Sequence, residues 1–221
     1  MANYLITGSN RGIGLEYCRQ LKQRGDDVIA TCRVSSPELD LLGVSVESGV
    51  DVTSGESVLR LKEKLKGKKI DVLIQNAGIA EFNSLNNLDP ESVIRQFEVN
   101  ALSPLCFTHA FLDNMAKGSK VALMTSRMGS IDDNTSGGSY GYRMSKVALC
   151  MAGKSLSIDL NPSEISVAIL HPGLVSTRMT GFTPNGITPE ESVKGLISII
   201  DLLNLENSGT FWHSNGQVLP W

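Results

Sequence analysis

The sequence predicts an α/β fold in which a doubly wound, mostly parallel sheet of seven strands is flanked by helices on both faces. Three observations carry that expectation. Short apolar runs alternate with longer runs of helical period, the pattern of parallel strands joined by crossover helices. The first apolar run opens into a glycine-rich turn, and a helical pattern follows at once. No internal repeat, low-complexity tract or linker divides the 221 residues, so one domain spanning residues 1–221 is expected to enclose one core.

The elements follow in order. Asn3–Thr7 is the first strand, and the helix after it runs over Gly12–Arg24 with Gly25 as its exit. Val28–Cys32 is the second strand. Ser36-Pro37 then starts a short helix over Pro37–Leu42, a capping side chain standing before a proline whose missing N–H is not needed there. Val44–Val50 is the third strand, Glu56–Leu65 the next helix and Ile70–Gln75 the fourth strand. Asp89-Pro90 caps a long helix over Pro90–Lys117, in which Pro104 should bend or divide the helix before Gly118 ends it. Lys120–Thr125 is the fifth strand, Tyr140–Leu160 a helix and Ile165–His171 the sixth strand. Thr188-Pro189 starts the last helix, Pro189–Leu203, and Thr210–His213 completes the sheet. Ligands of such sheets sit beyond the carboxyl ends of the strands, where the strand order reverses. The loops after Thr7, Cys32, Val50, Gln75, Thr125 and His171 are therefore where chemistry is sought.

Composition narrows the partners. With 20 Lys+Arg against 23 Asp+Glu the net charge is −3, which offers no electrostatic footprint for nucleic acid. The lysines at 62, 64, 66, 68 and 69 are interrupted by Glu63 and Leu65 and read as the solvated end of a helix. No apolar run approaches the roughly 20 residues that span a bilayer, so no membrane partner is expected. Cys18, Cys32, Cys106 and Cys150 contain no CxxC pair, and the chain starts without a charged and apolar leader; a reducing cytoplasm is the expected compartment. His109, His171 and His213 lack metal-ligand spacing, so no metal site is expected. Small molecules remain as partners.

The turn Gly8-Ser9-Asn10-Arg11-Gly12-Ile13-Gly14 has the make-up of a dinucleotide site. Its glycines let the backbone turn tightly and approach a pyrophosphate, while the helix that follows offers unpaired N–H groups and the positive end of its dipole. Tyr142 and Lys146 stand four residues apart, so a helix places them one turn apart on one face. A phenol titrates ordinarily at about 10, and a neighbouring ammonium favours its ionised form, which fits it for acid–base work. The same spacing sets Tyr140 aside.

The glycine turn, Asn76-Ala77-Gly78 after the fourth strand and Tyr142-Arg143-Met144-Ser145-Lys146 together resemble the short-chain dehydrogenase/reductase superfamily over almost the whole chain. Ala30-Thr31-Cys32-Arg33, Ser126-Arg127-Met128-Gly129-Ser130, Ser136-Gly137-Gly138 and Leu219-Pro220-Trp221 look most like its C-factor and Sniffer-like carbonyl reductases. The resemblance implies a Rossmann fold, a nicotinamide cofactor and a Ser126, Tyr142, Lys146 centre. An acid at the end of the second strand would accept from an unmodified ribose, whereas this chain has Cys32 and then Arg33. Arg33, with Arg11 on the other side, would pair with a 2′-phosphate, so NADP(H) is expected; the alternative is that both are solvated surface charges.

Further roles are carried by the resemblance. Asp51 and Val52 match the adenine contact, though Asp51 serves equally well as a helix-entry residue. Asn76, Ala77 and Gly78 would border the adenosine ribose, with Gln75 where the family usually has asparagine. Asn100 either supports a proton path to Lys146 or braces a helix irregularity. Pro172, Gly173, Val175 and Thr177 match the loop that orients nicotinamide, Val175 through its backbone and Thr177 through its hydroxyl, while His171 is structural. Ser126 ends the fifth strand, donates to the carbonyl oxygen and has Thr125 as its structural neighbour. Sixteen residues separate Ser126 from Tyr142, wider than the family commonly shows, with Asn134–Gly138 as the extra loop. Met128 and Phe182 either contact substrate or pack against a loop; Trp212 and Trp221 are packing or interface residues.

The resemblance implies reduction of an aldehyde or ketone, and a homodimer formed through the helices near Pro90–Lys117 and Tyr140–Leu160. The alternatives are a nonenzymatic cofactor sensor or C-factor-like signal built on the same fold, and an NAD-preferring alcohol dehydrogenase, which Arg33 and the lack of an acid at Cys32 disfavour.

Overall fold

Strands whose residues are buried on both sides belong in a sheet covered twice. The computed structural model, which describes residues 1–221, contains one such sheet of seven strands. In chain order the elements are β1 (Asn3–Thr7), α1 (Gly12–Arg24), β2 (Asp27–Thr31), α2 (Pro37–Asp40), β3 (Ser45–Glu47), α3 (Gly55–Lys64) and β4 (Val72–Gln75). Then come α4 (Pro90–Phe97), α5 (Ser103–Phe111), β5 (Lys120–Met124), α6 (Tyr140–Asp159), β6 (Ser166–His171), α7 (Pro189–Leu202) and β7 (Phe211–His213).

The strand order is β3-β2-β1-β4-β5-β6-β7, and every pairing is parallel. The order reverses between β1 and β4, so the loops that leave these two strands open a crevice at the carboxyl edge. Alternate residues of each strand supply the two faces. Ile6, Ala30, Ile74, Ala122 and Leu170 pack against Tyr17 and Leu21 of α1 and Val193 and Leu196 of α7. Leu5, Ile29, Leu73, Val121 and Val167 pack against Leu61 of α3, Phe107 and Phe111 of α5 and Leu149 of α6. Each face holds a fully buried aromatic pivot, Tyr17 on one and the stacked Phe107 and Phe111 on the other.

Ser36, Asp89 and Thr188 accept backbone N–H groups at the starts of α2, α4 and α7 as expected, and Gly25 (φ 90°) closes α1; α3 has a further cap, Ser54, that sequence reading passed over. Several boundaries shift. The third strand shrinks from Val44–Val50 to Ser45–Glu47, because it lies at the sheet edge and pairs only with β2. The long helix expected over Pro90–Lys117 ends at Phe111 and is interrupted by a π-helical turn, Glu98–Leu102. Pro104 has no N–H to offer the Asn100 carbonyl one turn back, and the Ser103 hydroxyl donates to the Glu98 carbonyl at 2.8 Å. Gly118 (φ 85°) is consequently a turn residue before β5 and not a helix exit. The fifth strand ends at Met124, and Ser126 caps a short 3₁₀ turn, Arg127–Gly129, in place of ending the strand.

Candidate active site

The glycine turn is held by its neighbours. Thr7 Oγ1 accepts from the N–H groups of Asn76 and Ala77 at 3.0 and 3.1 Å. Asn76 Nδ2 returns bonds to the carbonyls of Thr7 and Gly8, both at 3.1 Å. Gly8 (φ 69°) could carry no side chain against Ala77, and a Cβ on Gly14 would stand 2.2 Å from the Gly8 carbonyl oxygen. The turn is thus closed onto the loop after β4 by sterics alone. The N–H groups of Gly12, Ile13 and Gly14 have no partner in the protein, and Arg11 provides no side-chain cap at the N-terminus of α1. These donors point where an anion is stabilised by the helix end.

Around this turn the expected contacts divide. Ser9 is fully buried; its N–H donates to the Thr31 carbonyl at 3.1 Å and its hydroxyl to the Ile6 carbonyl at 2.9 Å. Ser9 therefore shapes the turn, and its polar donors are not available to a ligand. Asn10 Nδ2 donates to the Val34 carbonyl at 2.9 Å and draws the loop after β2 toward the turn. Arg11 and Arg33 are exposed and make no ion pair or hydrogen bond through their guanidinium groups. Asp51 Oδ1 accepts from the Thr53 hydroxyl and N–H at 2.7 and 2.9 Å, a helix-entry arrangement. Those bonds, with Arg33 nearby, hold its carboxyl below the usual aspartate range. Gln75, in the place of an asparagine, accepts from Thr7 Oγ1 at 3.4 Å and donates to Thr108 Oγ1 at 3.3 Å, so the bracing of the central strands is retained in another form.

Across the crevice, α6 carries Tyr142 and the buried Lys146. Lys146 is fastened to the end of β5 twice: its Nζ donates to the Met124 carbonyl at 2.9 Å, and its carbonyl accepts from the Thr125 hydroxyl at 3.0 Å. Gly129 lies flat on the same turn of α6, where a Cβ would come within 2.8 Å of the Lys146 carbonyl carbon. This contact seats the Ser126 loop against the helix. The Ser126 hydroxyl accepts the Met128 N–H at 3.1 Å, and its proximity lowers the affinity of the Tyr142 phenol for its proton.

The charge relation differs from expectation. Lys146 was expected to favour the ionised phenol, yet burial pushes Tyr142 above its ordinary value and only Ser126 pulls it back. The ammonium lies 5.6 Å from the Tyr142 ring centre and is turned to Met124. Its own burial, partly offset by the Cys150 thiol, brings Lys146 down to about 8.

Asn100 occupies the π turn and takes the bracing role. Its Oδ1 accepts the Ile79 N–H at 2.8 Å, while its Nδ2 donates to the Ile79 carbonyl at 2.9 Å and to Ser145 Oγ at 3.0 Å. It also stands beside Gly78, where a Cβ would be 3.1 Å from Asn100 Oδ1 and 3.6 Å from Lys146 Nζ. After β6, Pro172 accepts from the hydroxyls of Ser192 and Ser214, and Gly173 (φ 85°) abuts Ile187. The Val175 carbonyl accepts from Thr180 at 2.6 Å, leaving its N–H without a partner in the protein. Thr177 approaches the glycine turn, its methyl 3.5 Å from where a Gly12 Cβ would lie. Burial lowers His171 to about 3, and its ring meets that of His213 edge-on at 4.9 Å. Trp221 stacks on Phe211 at 5.6 Å.

Sequence reading passed over Thr7, Gln96 and Phe82. Gln96 sits one helical turn before Asn100, and that spacing on one face was the available signal.

Residues 2–186 match the family model described as short chain dehydrogenase. The chain belongs to the short-chain dehydrogenases. Two relatives resemble this short-chain dehydrogenase closely. The 1-hydroxy-2-glutathionyl-2-methyl-3-butene dehydrogenase of Rhodococcus sp. (strain AD45) is 44% identical over 226 residues, covering 100% of both chains. The C-signal of Myxococcus xanthus is 46% identical over 156 residues, covering 69% of this chain and 93% of its own. Among solved structures, the NADPH-bound carbonyl reductase from chicken fatty liver superposes with a TM-score of 0.89 at 29% identity, covering 100% of this chain and 99% of its own. These matches place the short-chain dehydrogenase in the branch of carbonyl reductases and C-factor-like proteins, and the family's activity is oxidoreduction.

Proposed function

We propose that this chain is an NADPH-dependent carbonyl reductase acting through Ser126, Tyr142 and Lys146. The observation that carries the reading is the meeting of a half-buried phenol, whose proton is held tightly, with Ser126 and Lys146 at the carboxyl edge of the sheet. A phenol that stays protonated near neutrality is a proton donor, which is what carbonyl reduction needs.

The residues present fit a dinucleotide phosphate. The unpaired N–H groups of Gly12, Ile13 and Gly14 would hold the pyrophosphate, and the unpartnered Arg11 and Arg33 the 2′-phosphate. Asn10 would act by bringing the two arginine loops together. Val52, with Asn76, Ala77 and Gly78, would border the adenosine, and Pro172, Gly173, Val175 and Thr177 the nicotinamide. The chicken reductase, bound to NADPH, supports this choice. When bound, NADPH supplies the hydride for the carbonyl carbon. Ser126 donates to the carbonyl oxygen and holds the charge that gathers there. Tyr142 gives that oxygen its phenolic proton, the product leaves as an alcohol, and the phenolate recovers a proton from water. Lys146 keeps positive charge beside the phenol while its proton is away, and Asn100 positions Lys146's surroundings through Ile79 and Ser145. A homodimer is proposed across α4, α5 and α6, where Ile94, Phe97, Leu105, Met144, Met151 and Ile158 are exposed.

The Rhodococcus relative motivates a second reading, oxidation of an alcohol that carries a glutathionyl group. A panel of aldehydes and ketones, followed by NADPH absorbance, tests the first. Tyr142→Phe should abolish turnover and keep NADPH binding; turnover equal to that of the parent would remove the mechanism.

A further inference from the structure

The segment that leaves β4 is pinned in an unusual way. Gln96 and Asn100 are both fully buried and lie one turn apart on the same helical run. Each clasps the N–H and the carbonyl of one residue in the segment. Gln96 accepts from the Glu81 N–H and donates to the Glu81 carbonyl, both at 3.0 Å. Asn100 does the same for Ile79 at 2.8 and 2.9 Å. In an extended chain the N–H and carbonyl of one residue point to the same side, so residues 79 and 81 form one edge, closed by two amides that imitate a strand. The Asn83 carbonyl then accepts the Ser139 N–H at 2.7 Å, at the start of α6. Buried amides whose groups are all paired are costly to disturb, so this segment is a fixed part of the site.

What the segment presents is Phe82. Its ring meets that of Tyr142 edge-on, with centroids 6.1 Å apart and planes inclined at 62°. Even so, 61% of Phe82 is exposed. A rigidly mounted aromatic ring thus stands open beside the proposed proton donor, with the rest of its surface uncovered. The bond to Ser139 ties its mounting to the helix that carries Tyr142, so ring and phenol share one frame.

We propose that Phe82 is a specificity-determining residue that selects carbonyl compounds whose carbonyl is conjugated to a flat π group, aryl or alkenyl, over saturated ones of equal bulk. A flat group covers the open ring by offset or edge contact and gains the quadrupolar attraction that a saturated ring lacks. This inference rests on the reductase reading for its substrate, but its test does not depend on turnover.

The probes are benzaldehyde and cyclohexanecarbaldehyde for turnover, and benzamide and cyclohexanecarboxamide as dead-end analogues bound to the NADPH-loaded protein and followed by calorimetry. The unmodified protein should favour the aryl member of each pair by roughly three- to tenfold. Phe82→Leu, which keeps apolar bulk, should reduce that ratio to near one without changing NADPH affinity, and Phe82→Trp should restore it. Equal binding of the two amides by the unmodified protein, or an aryl preference that survives in Phe82→Leu, overturns the proposal. An aryl preference in the amides with neither aldehyde turned over supports the platform and counts against the reductase reading instead.

Discussion

Lys146→Met should make the protein more stable at neutral pH while removing its activity. Burial lowers Lys146 from 10.5 to about 8, so its charged form is disfavoured in the folded protein. At roughly 1.4 kcal/mol per unit this penalty is about 3 kcal/mol. Below pH 8 the lysine is charged in both states and the folded protein bears all of it. Between pH 8 and 10.5 the unfolded chain holds the extra proton, so the stability of the parent rises with pH and the penalty fades. Methionine fills the same space without charge and never bears it. Against this stands the lost bond to the Met124 carbonyl, which costs about 1–3 kcal/mol at every pH. The net gain at pH 7 is therefore about 1 kcal/mol, and by pH 10.5 it should become a loss, a swing of about 3 kcal/mol. Urea unfolding of parent and variant at both pH values measures the swing, since every other titration cancels in the difference. A variant equally destabilised at the two pH values would refute the burial of a charged Lys146.

Arg33→Ala should weaken NADPH by roughly tenfold and leave NADH almost unchanged in nucleotide titrations, because a charge-assisted pair to the 2′-phosphate is lost; equal weakening of both would undo the cofactor assignment. Gly14→Ala places a Cβ 2.2 Å from the Gly8 carbonyl oxygen and 2.6 Å from Asn76 Nδ2, so it should cost about 1–3 kcal/mol and abolish nucleotide binding. A thermal melt matching the parent would show that the turn is not closed as described. Since burial raises the Tyr142 phenol and Lys146 keeps its charge below about 8, carbonyl reduction should stay level from about pH 6 to 7.5 while alcohol oxidation climbs about tenfold per pH unit over the same range. A reduction rate that falls with a midpoint below about pH 7, well under Lys146, would contradict the raised phenol.

Much of the fold was legible because its signals are local. Ser36, Asp89 and Thr188 declare helix starts within four residues, and the spacing of Tyr142 and Lys146 puts them on one face wherever the helix lies. The division of the long helix was foreseen from Pro104, but its π turn was not: it accompanies the clasp of Asn100 on Ile79, a partner 21 residues away. Ser9 and Asp51 show the same limit. One was read as a ligand contact and the other left between two roles. Ser9 spends both its donors on the protein and Asp51 Oδ1 accepts from Thr53, and nothing in their neighbourhood in the chain declares which group will lie within reach.

By itself the sequence determined the alternation of strands and helices, the glycine turn and the paired phenol and amine, since each follows from backbone sterics and periodicity over a few residues. Only the tertiary structure decided that Lys146 faces Met124, that the Tyr142 proton is held more tightly, and that Phe82 stands open beside it. Desolvation and hydrogen bonding across long separations depend on what other segments bring to the same place, and no local pattern encodes that.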